Sequence, residues 1–417
     1  LLKNFFLNIK SFKYSPENYK STLKNFDFLG LKEVQDFIEA NLNKTISKLA
    51  LQKNPFPELD WKEILNQIEA KSKSKDKLPT WFNAENIIFP SKISVEQTSS
   101  EKTALYKSKL IFGEKIIDLT GGFGVDAFYY SKQFSKVIHC EHNSELSEIV
   151  KHNFDKLKVQ NIQCIYGESD EILKAYNEQF EWIYIDPSRR NDSKGKVFML
   201  RDCEPNVPDL LDFYFNYSSK ILIKTAPLLD LTAGLKELKH VFAIHIVALE
   251  NEVKELLWEI HQGYEEKPVV KTVNISKNSE EKFEFYLGAS LSEASYGEPK
   301  KFLYEPNAAI MKSGGFDEVG NQFILKKLHP HSHLYTSDEK IDFCGRVFEI
   351  IDVIPYQKSE MKLYLENKKA NITARNFPES VDIIRKKWKI KDGGNLYTFF
   401  TTDIKNNKIV LLCNKIK

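Results

Sequence analysis

The sequence of 417 residues predicts an α/β protein, a doubly wound parallel sheet preceded by a helical region and followed by small α+β modules. Three observations predict it. From Lys115 short apolar runs alternate with helical stretches, the pattern of parallel strands joined by crossover helices. The first of these runs enters a glycine-rich turn that opens a helix. Beyond Gly263 the alternation gives way to strands at shorter spacing.

Taken in order, the N-terminal region is read as helical. Apolar residues three and four apart run from Leu31 to Leu51 and from Trp61 to Ile68, and Asp60 stands where it can cap the second run. The segment Lys71-Ser72-Lys73-Ser74-Lys75-Asp76-Lys77 is basic and polar and reads as a linker or a phosphate-contacting surface. Strands are predicted over Lys115–Leu119, Lys136–Cys140, Ile162–Ile165, Trp182–Ile185, Lys220–Lys224 and Val241–Leu249, with helices such as Asp126–Gln133 and Ser144–Leu157 between the first three. Val269–Ile275 and Phe283–Leu287 are predicted strands of the modules that follow.

Composition narrows the class. With 42% hydrophobic and 28% charged residues and no apolar run long enough to cross a bilayer, a globular protein without a membrane span is expected. The first residues lack a secretory pattern, so a cytoplasmic location is expected. Cysteines at 140, 164, 203, 344 and 413 are odd in number and widely separated, which fits neither a disulfide framework nor a zinc knuckle. Net charge is +2, but residues 358–417 hold 14 Lys or Arg against 6 Asp or Glu, so this tail carries +8 and the rest −6. That asymmetry suits either a polyanion partner or a solvated lysine-rich surface.

Ile116-Ile117-Asp118-Leu119-Thr120-Gly121-Gly122-Phe123-Gly124-Val125-Asp126 is a strand running into a glycine turn and a helix. Gly121, Gly122 and Gly124 let backbone approach a ligand, and Thr120 lies within the same turn. Glu141 ends the next strand, where a carboxylate can hold two ribose hydroxyls. These positions also meet a loose dinucleotide fingerprint, so an NAD(P)-dependent oxidoreductase is an alternative. Charge separates the two. A dinucleotide presents a pyrophosphate to the turn, whereas S-adenosyl-L-methionine carries an ammonium and a sulfonium. Asp118 and Asp126 favour the second ligand. No Gly-Lys-Ser/Thr follows the turn, which excludes a P-loop. After the third strand, Glu168 and Ser169 are placed to receive an adenine amino group or simply to cap a helix.

Asp186-Pro187-Ser188-Arg189-Arg190 ends the fourth strand, where open α/β sheets bind ligands, and supplies the candidate catalytic residues Asp186, Pro187, Ser188 and Arg189. Methyl transfer is an in-line displacement that chiefly needs an oriented lone pair. Asp186 and the Pro187 carbonyl can accept from a substrate amino group, and Arg189 and Arg190 can hold phosphate or stack on a base. The motif resembles the Asp-Pro-Pro-aromatic and Asp-Pro-Pro-Arg signatures of nucleic-acid methyltransferases, with Ser188 in place of the second proline and Arg189 in place of the aromatic. No cysteine lies in the motif, which speaks against a covalent route to a pyrimidine carbon, Cys203 being the outside candidate.

Together with Ser94–Glu101, Tyr304-Glu305-Pro306-Asn307 and Arg375-Asn376-Phe377-Pro378, this motif makes the chain resemble the bacterial THUMP-like-domain methyltransferases over most of its length. The resemblance implies a helical region over 1–88, a Rossmann-like class I methyltransferase core over 89–265, a ferredoxin-like module over 266–325 and a THUMP-like basic module over 326–417. It also implies Gln97, Thr98 and Ser99 over the methionine end of S-adenosyl-L-methionine, and RNA, either tRNA or rRNA, as the partner methylated at a base amino group. An RNA-binding protein with a degenerate core is the other alternative.

Two weaker signals remain. His329, His331 and His333 share one face of an extended segment, a spacing that suits a metal, but no carboxylate or cysteine completes the set and no metal is expected. Lys386, Lys387 and Trp388 interleave charge with an aromatic, as a substrate-binding RNA surface does; a helix with Trp388 packed inward shows the same residues.

Overall fold

The computed structural model describes residues 27–90, 92–189, 199–288 and 294–417. They divide into two compact units. The first comprises the chain to Thr225 with Thr232–His240 and Glu259–Tyr264, and the second Ala226–Leu231, Val241–Trp258 and Glu265–Lys417.

The first unit begins with helices α1 (Lys32–Asn41), α2 (Ile46–Ala50), α3 (Trp61–Ser74), α4 (Pro79–Asn83), α5 (Lys92–Gln97) and α6 (Glu101–Ser108). The Asp60 side chain accepts from Glu63 N at 3.1 Å and starts α3, which buries Ile64, Leu65 and Ile68. The basic segment after Ile68 is a correction to the sequence reading. Lys71 to Ser74 form the last turn of α3 rather than a linker, with Lys71 only 3% exposed and ion-paired to Glu39. Its apolar stem packs inside while a single carboxylate satisfies the ammonium, which a count of charges does not reveal.

Five parallel strands follow: β1 (Gly113–Asp118), β2 (Phe134–Glu141), β3 (Ile162–Tyr166), β4 (Trp182–Ile185) and β5 (Lys220–Thr225). Their order in space is β3-β2-β1-β4-β5. Crossover helices α7 (Val125–Tyr130), α8 (Ser144–Lys156) and α9 (Ser169–Tyr176) lie between successive strands. The chain therefore reverses its direction of sheet growth between β1 and β4, which opens a crevice at the carboxyl ends of those two strands. Asp118 pairs in register with Tyr184, so Asp118 and Asp186 emerge together at that point. Apolar residues on both faces explain the near-continuous Ile and Val runs of β1, β2 and β4.

In the second unit β6 (Val241–Leu249), β7 (Glu252–His261, its last three residues counted with the first unit), β8 (Val269–Ile275) and β9 (Glu280–Tyr286) run in the order β9-β8-β6-β7. A seven-stranded sheet then forms from β10 (Phe302–Pro306), β11 (Lys326–Lys327), β12 (Tyr335–Ser337), β13 (Gly345–Pro355), β14 (Asn371–Ala374), β15 (Leu396–Thr402) and β16 (Lys408–Lys415), in the order β11-β12-β10-β13-β16-β15-β14. Period-2 alternation sends Val410 and Leu412 of β16 into one core and Ile409, Leu411 and Cys413 into another. Helix α15 (Val381–Trp388; α10 to α14 being Val207–Tyr214, Leu231–Glu237, Ala308–Ser313, Phe316–Gln322 and Lys358–Tyr364) covers the first of these cores with Ile384 and Trp388. Among the described residues all five cysteines are unbridged, and no helix is long and apolar enough to cross a membrane.

Candidate active site

The glycine turn is shaped by what lies under it. A side chain on Gly121 would place its Cβ 2.3 Å from His139 Nε2, and Gly124 combines a φ of +77° with a Cβ position 2.6 Å from Phe154. Both positions exclude any larger residue, which holds the turn tight above β2. Burial keeps His139 below its usual pKa, so it serves there as a neutral packing group. Glu141 is 6% exposed and ties the turn to β2, accepting from Gly122 N at 2.9 Å and from Asn143 N at 2.8 Å.

Asp118, only 1% exposed, accepts from Thr120 N at 3.0 Å through Oδ1. Thr120 Oγ1 in turn accepts from Asp186 N at 2.6 Å, so one hydroxyl links the ends of β1 and β4. Burial drives the Asp118 carboxyl well above its usual pKa against the bond from Thr120, and the charges of Asp126 and Asp186 push it the same way. A buried carboxyl raised in this way is stabilised as a carboxylate by an incoming cation.

Asp126 is bonded within the protein. Its Oδ2 accepts from Ser99 Oγ and from Tyr184 Oη, each at 2.8 Å, and its Oδ1 lies 3.2 Å from the Nζ of fully buried Lys107. Ser99 also accepts from Lys107 Nζ at 3.0 Å. Burial pushes Asp126 up, but the ammoniums of Lys107 and Lys224 and these hydrogen bonds outweigh it and hold the carboxylate below its usual pKa. Ser99 and Asp126 are thus bonded to the protein's own groups. Gln97 is exposed, Thr98 half-buried, Glu168 exposed and Ser169 half-buried.

Asp186 is ion-paired to Lys224, the ammonium at the end of β5, with side-chain exposures of 35% and 12% respectively. Pro187 is buried and Ser188 exposed, and Ser188 and Arg189 pair antiparallel with Glu204 and Cys203. Cys203 therefore lies beside the motif in space, fully buried. Arg190 lies outside the described residues, as does the Arg189 side chain.

Lys224 and Lys107 were not read from the sequence as site residues. Lys224 had a signal, since it closes the apolar run Ile221-Leu222-Ile223 in the strand beside that of Asp186. Lys107 had none, standing among Lys102 and Lys109 in a helix whose charges look solvated.

The second unit settles the position of the remaining candidates. Trp388 is 7% exposed and donates from Nε1 to Tyr356 Oη at 3.1 Å, so its ring is packed in the core as the inward-facing alternative required. Lys387 bonds Glu379 at 2.8 Å, while Lys386 is exposed. His329 is bonded to Asn376 at 2.9 Å, and His333 stacks on Phe316 at 3.5 Å, where burial lowers its pKa to about 4. Among the described residues no group of three or more His, Cys, Asp or Glu is placed to hold a metal.

A parallel sheet of order β3-β2-β1-β4-β5 with a glycine turn and acidic groups at its switch point defines a class I methyltransferase core. Comparison with known proteins agrees. A crystal structure of a protein from Porphyromonas gingivalis W83 assigned as a methyltransferase is 31% identical, covers 92% of this chain and 98% of its own, and superposes with a TM-score of 0.82. Residues 302–343 match a ferredoxin-like domain family and residues 345–415 a THUMP domain-like family. The chain belongs to the family of the Porphyromonas protein, class I methyltransferases with a THUMP-like C-terminal domain. Two proteins assigned as cobalt-precorrin-6B C(15)-methyltransferases (decarboxylating), from Sulfolobus acidocaldarius and Sulfurisphaera tokodaii, are 28% and 30% identical over 109 residues, 25% of this chain. The chain spans 57% of the length of these curated relatives.

Proposed function

We propose that this protein is a cytoplasmic S-adenosyl-L-methionine-dependent methyltransferase acting on an amino group of a base in RNA, either tRNA or rRNA. The observation that carries the cofactor assignment is Asp118, 1% exposed beside the turn, its carboxyl raised chiefly by burial and further by the charges of Asp126 and Asp186. An incoming ammonium relieves that carboxylate, whereas a pyrophosphate adds to the repulsion and disfavours the oxidoreductase alternative. The residues present fit the cofactor: Asp118 takes the methionine ammonium, Glu141 the ribose hydroxyls, Glu168 and Ser169 the adenine edge, and Gln97 and Thr98 the methionine end. When bound, the cofactor supplies a methyl group on a cationic sulfur. Asp186 and the Pro187 carbonyl orient the acceptor by accepting from its N–H, with Ser188 and Arg189 as the other catalytic candidates of the motif and Arg190 as a substrate-binding one.

RNA is favoured by the THUMP-like match and by the +8 charge of residues 358–417, where exposed Lys386 and neighbouring lysines face a polyanion. Titration calorimetry with S-adenosylmethionine, S-adenosylhomocysteine and NADH is the test, followed by transfer of labelled methyl to RNA. Binding of the first two alone is expected; binding of NADH alone would return the oxidoreductase, and RNA binding without either cofactor would leave a degenerate core. Glu141→Ala should weaken S-adenosylmethionine binding about tenfold in the same titration, the loss of a hydrogen bond to a charged group. Unchanged affinity would take the ribose contact away from Glu141.

A further inference from the structure

We infer that Lys224 reads the substrate beside Asp186 and selects a nitrogen that carries an N–H and stands next to a hydrogen-bond acceptor, the amide or amidine edge of a nucleobase. This rests on the methyltransferase reading above and names the pattern the acceptor edge must carry, an amino or ring N–H beside a lone pair.

The argument begins with placement. Lys224 is the last residue but one of β5 and Asp186 follows β4, and these strands are neighbours in register at Ile185 and Ile223. Parallel pairing thus sets the two side chains side by side at the switch point. Asp186 is held there from its backbone by Thr120 Oγ1 at 2.6 Å, and Thr120 is held by Asp118. The Asp186 side chain is 35% exposed and that of Lys224 12% exposed, so the carboxylate is the more open member of the pair.

Charge makes the lysine informative. An ammonium beside a site built for a cationic donor is electrostatically costly, and the three carboxylates Asp118, Asp126 and Asp186 offset it. What the ammonium adds is a hydrogen-bond donor next to Asp186, an acceptor. A carboxylate has about four acceptor sites and an ammonium three donor hydrogens. Side by side they complement an edge that alternates N–H with a lone pair: N6 and N1 of adenine, N4 and N3 of cytosine, N1 or N2 and its neighbour in guanine, N3 and a carbonyl in uracil. A ring carbon, or a nitrogen without hydrogen such as guanine N7 or adenine N1, gives Asp186 no donor to accept from; a ribose hydroxyl both donates and accepts, and the identity of the methylated nucleoside separates it from a base nitrogen. In the transfer, the acceptor nitrogen's lone pair forms the new N–C bond as the bond from methyl carbon to sulfur breaks. The pair of the broken bond stays on sulfur, and the proton shed by the nitrogen passes to Asp186 and then to solvent.

The test uses the full chain, labelled S-adenosylmethionine and RNA from cells lacking the protein, with the methylated nucleoside identified by mass spectrometry. A methyl on a nitrogen that carried hydrogen is expected; a 2′-O-methyl, C-methyl, 7-methylguanosine or 1-methyladenosine product overturns the inference. Lys224→Met should lower kcat/KM for RNA about 10- to 100-fold, the cost of an unmade bond to a reading group, while cofactor binding does not weaken, since the cationic cofactor then meets one like charge fewer. Lys224→Arg should recover part of the rate, and Lys224→Met turning over as the wild type removes Lys224 from recognition. A wild-type chain that binds the cofactor yet labels no RNA removes the RNA reading itself, and this inference with it. Labelling by the wild type with an unaffected variant removes the inference alone.

Discussion

Asp186→Ala is expected to slow methyl transfer to RNA by about a thousandfold, within the range that a positioned proton-accepting group supplies. Cofactor affinity should change only severalfold, because Asp118 and Glu141 hold their own bonds from Thr120, Gly122 and Asn143 without it. Alanine leaves Lys224 beside Asp126, whose carboxylate already feels its charge, so the fold should tolerate the change. Asp186→Asn separates charge from shape: it keeps the side chain's volume but cannot take the proton, and its rate should be nearly as low. Single-turnover transfer, measured beside calorimetric cofactor binding, tests both variants. A wild-type rate in Asp186→Ala would exclude the residue from the mechanism.

Lys107→Met should destabilise the first unit by about 3 kcal/mol or more, because removing one member of a buried pair leaves an uncompensated charge. Lys107 is fully buried, and the Asp126 side chain is 11% exposed. Asp126 would retain the neutral donors Ser99 and Tyr184 and the smaller influence of Lys224, which is already ion-paired to Asp186. The companion change Lys107→Met with Asp126→Asn should restore most of the loss, since it removes both charges together. Urea unfolding combined with hydrogen exchange in α6 and α7 tests this, and a single variant as stable as wild type would refute it. The sign with pH follows from the lowered pKa of Asp126. Its contribution is complete above the ordinary aspartate value near about 4 and is lost as pH falls through the lower folded value. The Lys107→Met variant should therefore lose less stability in acid than the wild type.

Much of the core was legible because parallel strands and a glycine turn are local patterns. Trp182–Ile185 and Val241–Leu249 were read to the residue, and β1, β2, β3 and β5 within two residues at either end. The N-terminal periodicity from Leu31 to Leu51 was read as one stretch, whereas the chain breaks it between Asn41 and Ile46. Asp118, Gly121, Gly124 and Glu141 were visible for the same local reason, since each lies within a few residues of a strand end. Charged residues were the hard case. The segment from Lys71 reads as a linker or a phosphate-contacting surface, yet Lys71 is buried against Glu39; Asp126 reads as favouring a cationic ligand, and its bonds to Ser99, Tyr184 and Lys107 are not visible in the sequence.

By itself, the sequence determined the order of strands and helices, the turn that only glycine can make above His139, and the acidic ends of β1, β2 and β4. Periodicity and backbone restrictions act between near neighbours and are written directly in the chain. Only the tertiary structure decided which charges face one another: Lys224 with Asp186 across two strands, Lys107 with Asp126 across two helices, and Glu305 with Arg346 and Arg375 across the C-terminal sheet. Those pairs join residues separated by 19 to 70 positions. Desolvation, which makes each charge costly alone and each pairing obligatory, appears only after the chain has folded around it.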